Sequence, residues 1–226
     1  NDVNKLVKLS FDTTLESNAK PYVQQMFGSE EAQNDGSEFT FQKWCLLDDG
    51  QKSLAVINTG NHGGSAENGK LNISLLRTAV YSAHPVTING VSLKIAPDDR
   101  VHEHLDMGER EFRFRVCANE PYVDSAAEIF NRSPYVLSVF PSGHGKGKTM
   151  EGFMRIDNRH IILSAFRKEN EQTTIRLFNS SDKSEKCTMN CRGVEAEIEF
   201  SPYEVKTYSF DGNSYVETDM LGNKIY

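Results

Sequence analysis

The sequence predicts an all-β fold: an antiparallel β-sandwich of the super-sandwich type, with a second, smaller C-terminal β-sandwich. Apolar and polar residues alternate along several short segments, turn-forming residues separate these segments, and almost no segment has helical periodicity. Alternation with period two places one face of a strand in the core and the other in water. Many short strands with turns between them are typical of sandwiches rather than of parallel sheets with crossover helices.

Two segments show the alternation most clearly. In 111–116, apolar residues alternate with charged ones, and in 194–200 they alternate with three glutamates, which predicts a strand with an acidic face in water. Asn89-Gly90 lies between two apolar arms and predicts a two-residue hairpin turn. Residues 125–130 are predicted as a short helix. The other predicted strands are 39–44, 54–58, 71–77, 136–140, 161–166, 174–179 and 204–210.

A cluster of proline, glycine and serine residues at 133–147 interrupts the strand pattern and marks the best internal boundary. We therefore predict a larger β-sandwich domain over residues 1–132, a linker or loop over 133–150, and a smaller β-sandwich domain over 151–226.

Composition and charge exclude several classes of function. The formal net charge is −7, and no cluster of lysine and arginine is present, so nucleic acid is not an expected partner. The apolar stretches are too short to span a bilayer and no leader opens the chain, which predicts a cytoplasmic protein without a membrane segment. The chain begins at Asn1 rather than at methionine, consistent with a piece of a longer protein.

The four cysteines form no C-x-x-C pair, so reduced structural thiols are expected. A bridge between Cys187 and Cys191 in an oxidising compartment is the alternative.

Three patterns were tested as sites of chemistry. Residues 142–149 approach the phosphate-binding loop G-x-x-x-x-G-K-[ST], but Ser142 replaces the first glycine and the following residues predict a strand instead of a helix. His102 and His104, with Asp106, have the alternation that a metal site needs, yet a solvated strand or loop edge explains them better, because Glu103 and Asp106 suit a polar surface. The acidic pairs at 48–49 and 98–99 lie beside turn-forming residues. We therefore predict no catalytic residue and no metal ligand in this chain.

An ordered set of segments, spread from about residue 21 to about residue 210, resembles a known family. The segments are Pro21-Tyr-Val, Phe27-Gly28, Gln42-Lys-Trp-Cys, Leu54-Ala-Val-Ile-Asn58 with Gly60 and Gly63, Leu71-Asn-Ile-Ser-Leu-Leu-Arg-Thr78 with Tyr81, Asp106-Met-Gly-Glu-Arg-Glu-Phe-Arg-Phe114, Leu163-Ser-Ala-Phe, Ile175-Arg-Leu-Phe-Asn179 and Ser201-Pro-Tyr-Glu-Val-Lys-Thr-Tyr208. Together they resemble the C-terminal β region of the zinc-dependent α-mannosidases, glycoside hydrolase family 38.

The resemblance implies that the catalytic residues and the zinc ion belong to an N-terminal domain that precedes this region. It implies no cofactor in this chain, and a β region that packs on the catalytic domain and completes the rim of its sugar pocket. Arg77 is the candidate for binding the α-mannoside substrate, because an arginine fork suits vicinal hydroxyls. An ion pair at the domain interface is the alternative role for Arg77. Asn58 and His62, in a glycine-rich loop, are weaker candidates.

The predicted function is thus the non-catalytic C-terminal β region of a retaining α-mannosidase, inactive when isolated. Two alternatives remain. One is an independent carbohydrate-binding module in which Trp44 and tyrosine side chains stack on sugars. The other is a structural sandwich that forms contacts in a homo-oligomer.

Overall fold

The computed structural model describes residues 5–78, 86–88, 91–93, 106, 108–140, 143, 152–169 and 172–225. Its described residues form antiparallel strands in several sheets and one short helix, which confirms the predicted all-β sandwich class. The chain divides into two compact units, unit 1 with residues 1–23 and 31–119, and unit 2 with residues 24–30 and 120–226. The domain limits proposed from the sequence stay predictions.

Unit 1 is built from short antiparallel strands in two main sheets. One sheet has the order β1-β8-β7-β4, the other contains β11, β6, β5 and β2 in that order, and β9 pairs with β10. The strands are β1 (Leu6–Asp12), β2 (Lys20–Gln25, which continues into unit 2), β4 (Glu38–Thr40), β5 (Trp44–Asp48), β6 (Ser53–Asn58), β7 (Gly63–Glu67), β8 (Lys70–Arg77), β9 (Val86–Ile88), β10 (Val91–Leu93) and β11 (Phe114–Ala118); β3 (Gly28–Glu31) follows β2 along the chain.

The core of unit 1 contains side chains from both of its main sheets. Leu47 and Val56 come from β5 and β6, Leu71 and Ile73 come from β8, and all four are fully buried in one cluster. Gly64 in β7 shows how closely the strands approach: a Cβ there would lie 2.8 Å from a backbone oxygen and 2.9 Å from an aromatic carbon. A larger residue at this position would overpack the core.

Unit 2 is a second sandwich with a short helix. One sheet has the order β12-β15-β16 and the other β13-β14-β17-β18. The elements are α1 (Val123–Asn131), β12 (Met154–Ile156), β13 (Ile161–Glu169), β14 (Gln172–Asn179), β15 (Glu185–Cys191), β16 (Val194–Phe200), β17 (Val205–Phe210) and β18 (Tyr215–Thr218).

The core of unit 2 likewise joins two sheets. Met189 and Phe200 from β15 and β16 form one buried cluster with Ile175 and Leu177 from β14. More buried residues alternate with exposed ones along β16, as the sequence predicted for 194–200.

Several local predictions differ from the structure. The segment 136–140 was predicted as a strand, but residues 132–140 lie outside any strand and all are exposed. The segment 39–44 divides between β4 and β5, which belong to different sheets, and the strand within 111–116 begins only at Phe114. The hairpin is confirmed, since Val91 of β10 pairs with Ile88 of β9, although its turn residues lie outside the described part of the chain. Within that part, no helix is long and apolar enough to cross a membrane.

All four cysteines are free thiols, as the sequence predicted. Cys187 and Cys191 lie on one strand, β15. Four residues of extended chain span about 13 Å, which is beyond the reach of a disulfide. The bridge considered from the sequence is therefore wrong for this fold.

Burial should also suppress the reactivity of the core thiols. Burial raises the pKa of Cys45, and it raises the pKa of Cys187 to about 11. We expect the native chain to react with Ellman's reagent at pH 8 at Cys117 first, because the thiolate is the reactive form and Cys117 is only partly buried. Mass mapping after a short exposure checks this; equal labelling of Cys45 and Cys117 under native conditions would contradict it.

Candidate functional site

Four chain segments meet at one end of unit 1. Strand β6 ends at Asn58, the loop 59–62 leads into β7, strand β8 ends at Arg77, and residues 108–113 lead into β11. The pairing of β11 with β6 places Phe114 opposite Asn58. A cavity of about 240 Å³ opens there, lined by Thr59, Gly60, Asn61, Leu75, Leu76, Asp106, Arg110, Glu111 and Phe112.

Asn58 organises the loop that forms one wall of the cavity. It is 1% exposed, and its Oδ1 accepts hydrogen bonds from the backbone N–H groups of Gly60 at 2.7 Å and Asn61 at 2.8 Å. Its Nδ2 donates to the backbone carbonyl of Gln42 at 3.3 Å. Both ends of the amide are therefore engaged with backbone, and the side chain shapes the loop rather than facing the cavity.

Asn61 fastens the same loop to strand β8. Its Nδ2 donates to the backbone oxygens of Ser74 at 3.2 Å and Leu75 at 3.3 Å. Sequence reasoning did not single out this residue. An asparagine among loop glycines was the available signal, because asparagine side chains readily bond to nearby backbone.

His62 is exposed, and two backbone carbonyl groups contact Nδ1 of its ring. Its Nδ1 lies 3.2 Å from the carbonyl oxygen of Phe41 and 3.1 Å from that of Gln42. A carbonyl oxygen only accepts, so Nδ1 is the donor in these contacts. His62 lies next to the cavity in the chain but does not line it.

Arg77 is exposed at the end of β8, beside the cavity. Its backbone N–H donates to Asp106 Oδ2 at 3.0 Å, which joins the strand end to the segment before β11. Its guanidinium forms no hydrogen bond or ion pair with another of the described residues. The Arg77 backbone is therefore joined to the cavity wall through Asp106, whereas the Arg77 side chain is not among the lining residues.

Sequence reasoning assigned Asp106 to a different hypothesis and missed Arg110. Asp106 was considered only as a metal ligand together with two histidines at 102 and 104, which lie outside the described residues. It adopts a left-handed backbone conformation, with φ of 53°, and accepts from the Arg77 backbone. Arg110 lines the cavity and donates from Nη1 to the carbonyl of Glu109 at 3.1 Å. The segment 106–114 carries part of the family resemblance, and this was the sequence feature that could have drawn attention to both residues.

Two further observations limit the chemistry. Among the described residues, no group of three or more histidine, cysteine, aspartate or glutamate side chains could hold a metal ion. Trp44 is 3% exposed and lies in β5, so it offers no ring face for stacking on a sugar. The carbohydrate-stacking role considered for Trp44 is therefore wrong.

The fold and the site define a class: an all-β, two-unit sandwich protein with a polar cavity of mixed charge at one end of unit 1. Residues 2–100 match the family model of the glycosyl hydrolases family 38 C-terminal domain. No curated protein matches the chain. The family match supports the resemblance seen in the sequence.

Two solved structures share the fold. An α-mannosidase from Enterococcus faecalis V583 superposes with a TM-score of 0.67 at 14% identity, covering 91% of this chain and 26% of that chain. A protein in the glycosyl hydrolase family 38 from Enterococcus faecalis superposes with a TM-score of 0.68 at 13% identity, again covering 91% and 26%. This chain thus spans about a quarter of the length of these neighbours.

Proposed function

We propose that this chain is the non-catalytic C-terminal β region of a cytoplasmic glycoside hydrolase family 38 enzyme, a retaining α-mannosidase. The match of residues 2–100 to the C-terminal domain of that family carries the proposal, and it includes Asn58, His62 and Arg77. The two structural neighbours support the same fold over 91% of the chain. The zinc ion would be held by an N-terminal catalytic domain, which is the proposed partner in the same polypeptide.

Within this proposal, the end of β8 forms part of the rim of the sugar pocket. Arg77 is exposed beside the cavity, and Asp106 fixes its backbone position. A guanidinium has five donors in a planar fork, so it suits the adjacent hydroxyls of a mannoside. His62 adds an exposed imidazole on the neighbouring loop, and Asn58 holds that loop in shape.

An exposed apolar segment of unit 2 supports the proposal that more protein covers this region. Tyr135 is 89% exposed and Phe140 is 101% exposed, and the residues between them include Val136, Leu137 and Val139, all mostly exposed. Soluble monomers rarely expose such contiguous apolar surface, and larger patches mark interaction sites. The rest of the polypeptide is the proposed cover.

The full-length protein should hydrolyse an aryl α-mannoside in the presence of a divalent metal ion, whereas the 226-residue chain should not. The measurement is release of the aryl group by both proteins at equal concentration. Turnover by the purified chain would show that the catalytic site lies here and would overturn the proposal. A full-length protein that cleaves another glycoside instead would overturn the assignment to α-mannosides.

Arg77→Ala in the full-length protein should reduce kcat/KM for the α-mannoside about 10- to 100-fold, because a charge-assisted hydrogen bond to the substrate is lost. Arg77→Lys should recover little, since an ammonium lacks the planar fork. The matched control is Arg115→Ala, an exposed arginine on β11. Unchanged kinetics for both alanine variants, with an unchanged melting temperature, would rule out the rim role.

A further inference from the structure

A cleft in unit 2 lies on the outer face of the sheet β13-β14-β17-β18. Its volume is about 540 Å³, which falls in the range of small-molecule sites. The lining residues are Ala165, Arg167, Gln172, Thr174, Arg176, Ser209, Thr218, Met220, Leu221 and Gly222.

Strand register explains why these side chains share one face. Arg176 of β14 pairs with Ala165 of β13, and Thr174 pairs with Arg167 on one side and with Ser209 of β17 on the other. Directly paired residues lie on the same face of a sheet, and sequence neighbours lie on the opposite face. Ile175 is buried in the core, so the cleft face is the outer one.

Arg176 is fixed by two hydrogen bonds. Its Nε donates to Thr207 Oγ1 at 3.1 Å, and its Nη2 donates to the carbonyl oxygen of Met220 at 2.7 Å. These bonds set the plane of the guanidinium between the sheet and the turn that follows β18. A guanidinium has five N–H donors, so donors remain for a ligand after these two bonds are made.

A second arginine stands close to the first. Arg167 pairs with Thr174, two residues from Arg176, and is exposed. Diagonal neighbours of this kind on an antiparallel pair lie about 7–8 Å apart. Two arginine side chains at that spacing can both reach one oxyanion, and arginine binds carboxylate and phosphate oxygens through paired N–H groups.

Two carboxylates near the end of β18, Asp219 and Glu217, are engaged with other protein groups. Asp219 accepts from the backbone N–H groups of Leu221 and Asn223, each at 2.8 Å, and from the Asn223 side chain. Glu217 accepts from the hydroxyl of the core residue Tyr208 at 3.4 Å. The described lining of the cleft thus contains two arginines, several hydroxyl groups and an amide, but neither aspartate nor glutamate.

We propose that this cleft binds a small ligand through an oxyanion, with the phosphate or carboxylate held by Arg176 and Arg167. Thr174 and Ser209 supply hydroxyl groups on the cleft floor for the polar remainder of the ligand. This site belongs to unit 2 and is built from residues that play no part in the proposed rim at Arg77.

The test is calorimetric titration of the 226-residue chain with inorganic phosphate and with mannose 6-phosphate, using neutral mannose as the uncharged comparison. We expect saturable binding of at least one phosphate probe, weakened by added sodium chloride, and none for mannose. Absence of saturable binding by both phosphate probes at millimolar concentration would overturn the proposal.

Two variants and a control locate the binding. Arg176→Ala and Arg167→Ala should each weaken the affinity about tenfold or more, because each removes a charge-assisted contact. Arg155→Ala, an exposed arginine on β12 in the other sheet of unit 2, should leave the affinity unchanged. Because Arg176 also donates hydrogen bonds within the protein, Arg176→Ala could weaken binding by destabilising unit 2. If Arg176→Ala lowers the melting temperature, the affinity of Arg167→Ala is the deciding measurement. Unchanged affinity in Arg167→Ala, or equal weakening by Arg155→Ala, would overturn the site.

Discussion

Phe200→Ala should lower the free energy of unfolding by about 3–5 kcal/mol. Phe200 ends strand β16, is 2% exposed, and packs in the cluster that joins the two sheets of unit 2. Its ring also lies 5.7 Å from the ammonium of Lys206. Removing the ring loses its transfer free energy and leaves a cavity between two sheets that the surrounding strands only partly fill. A domain is stable by about 5–15 kcal/mol, so this single change removes a large share.

The chain offers a matched control in Phe140, which is 101% exposed. Phe140→Ala makes the same chemical change where the ring has no packing to lose, so we expect an effect within about 0.5 kcal/mol. Urea unfolding followed by circular dichroism measures both variants, and the slope with urea should stay constant. Equal destabilisation by the two variants would mean that Phe200 is not part of a packed core.

Strands with a clear period of two were predictable because the signal is local. In 194–200, each outward glutamate alternates with an inward apolar residue, and the observed strand Val194–Phe200 buries Ile198 and Phe200 while Glu197 stays exposed. The hairpin at 86–93 was predictable for the same reason, because two apolar arms and a turn are read from one short window.

Residues 136–140 show where local reasoning fails. Their composition is that of a strand, but a strand also needs a partner with free backbone groups, and no described strand pairs with them. Pro134, just before the segment, has no N–H to donate. Whether a neighbouring strand is available for pairing depends on the whole fold, so the sequence of the segment alone does not determine it.

The candidate site was predictable only in part, for a related reason. The resemblance directed attention to the loop at Asn58 and to Arg77, and the structure places both next to one cavity. The contact between the Arg77 backbone and Asp106 joins residues 29 positions apart. Spacing and periodicity carry no information on such a contact, so Asp106 was assigned to a different hypothesis.

Asn58→Ala should lower the free energy of unfolding by about 2–4 kcal/mol. The amide is 1% exposed, accepts from two backbone N–H groups, and donates to the Gln42 carbonyl. Alanine removes these three bonds between the buried side chain and the backbone, and each such bond contributes about 0.5–1.5 kcal/mol. The loop 59–62, which forms one wall of the cavity, would lose its anchor to β6.

Two comparison variants separate the contributions of the Asn58 amide. Asn58→Asp keeps an acceptor for Gly60 and Asn61 but loses the donor to Gln42, so its cost should arise from that one bond and from burying a charge. Asn61→Ala removes only two long contacts of a partly buried side chain, at 3.2 and 3.3 Å, and should cost about 1 kcal/mol. Urea unfolding ranks the three variants. If Asn61→Ala proves as costly as Asn58→Ala, the loop is held chiefly by its attachment to β8, and the anchor assigned to Asn58 is wrong.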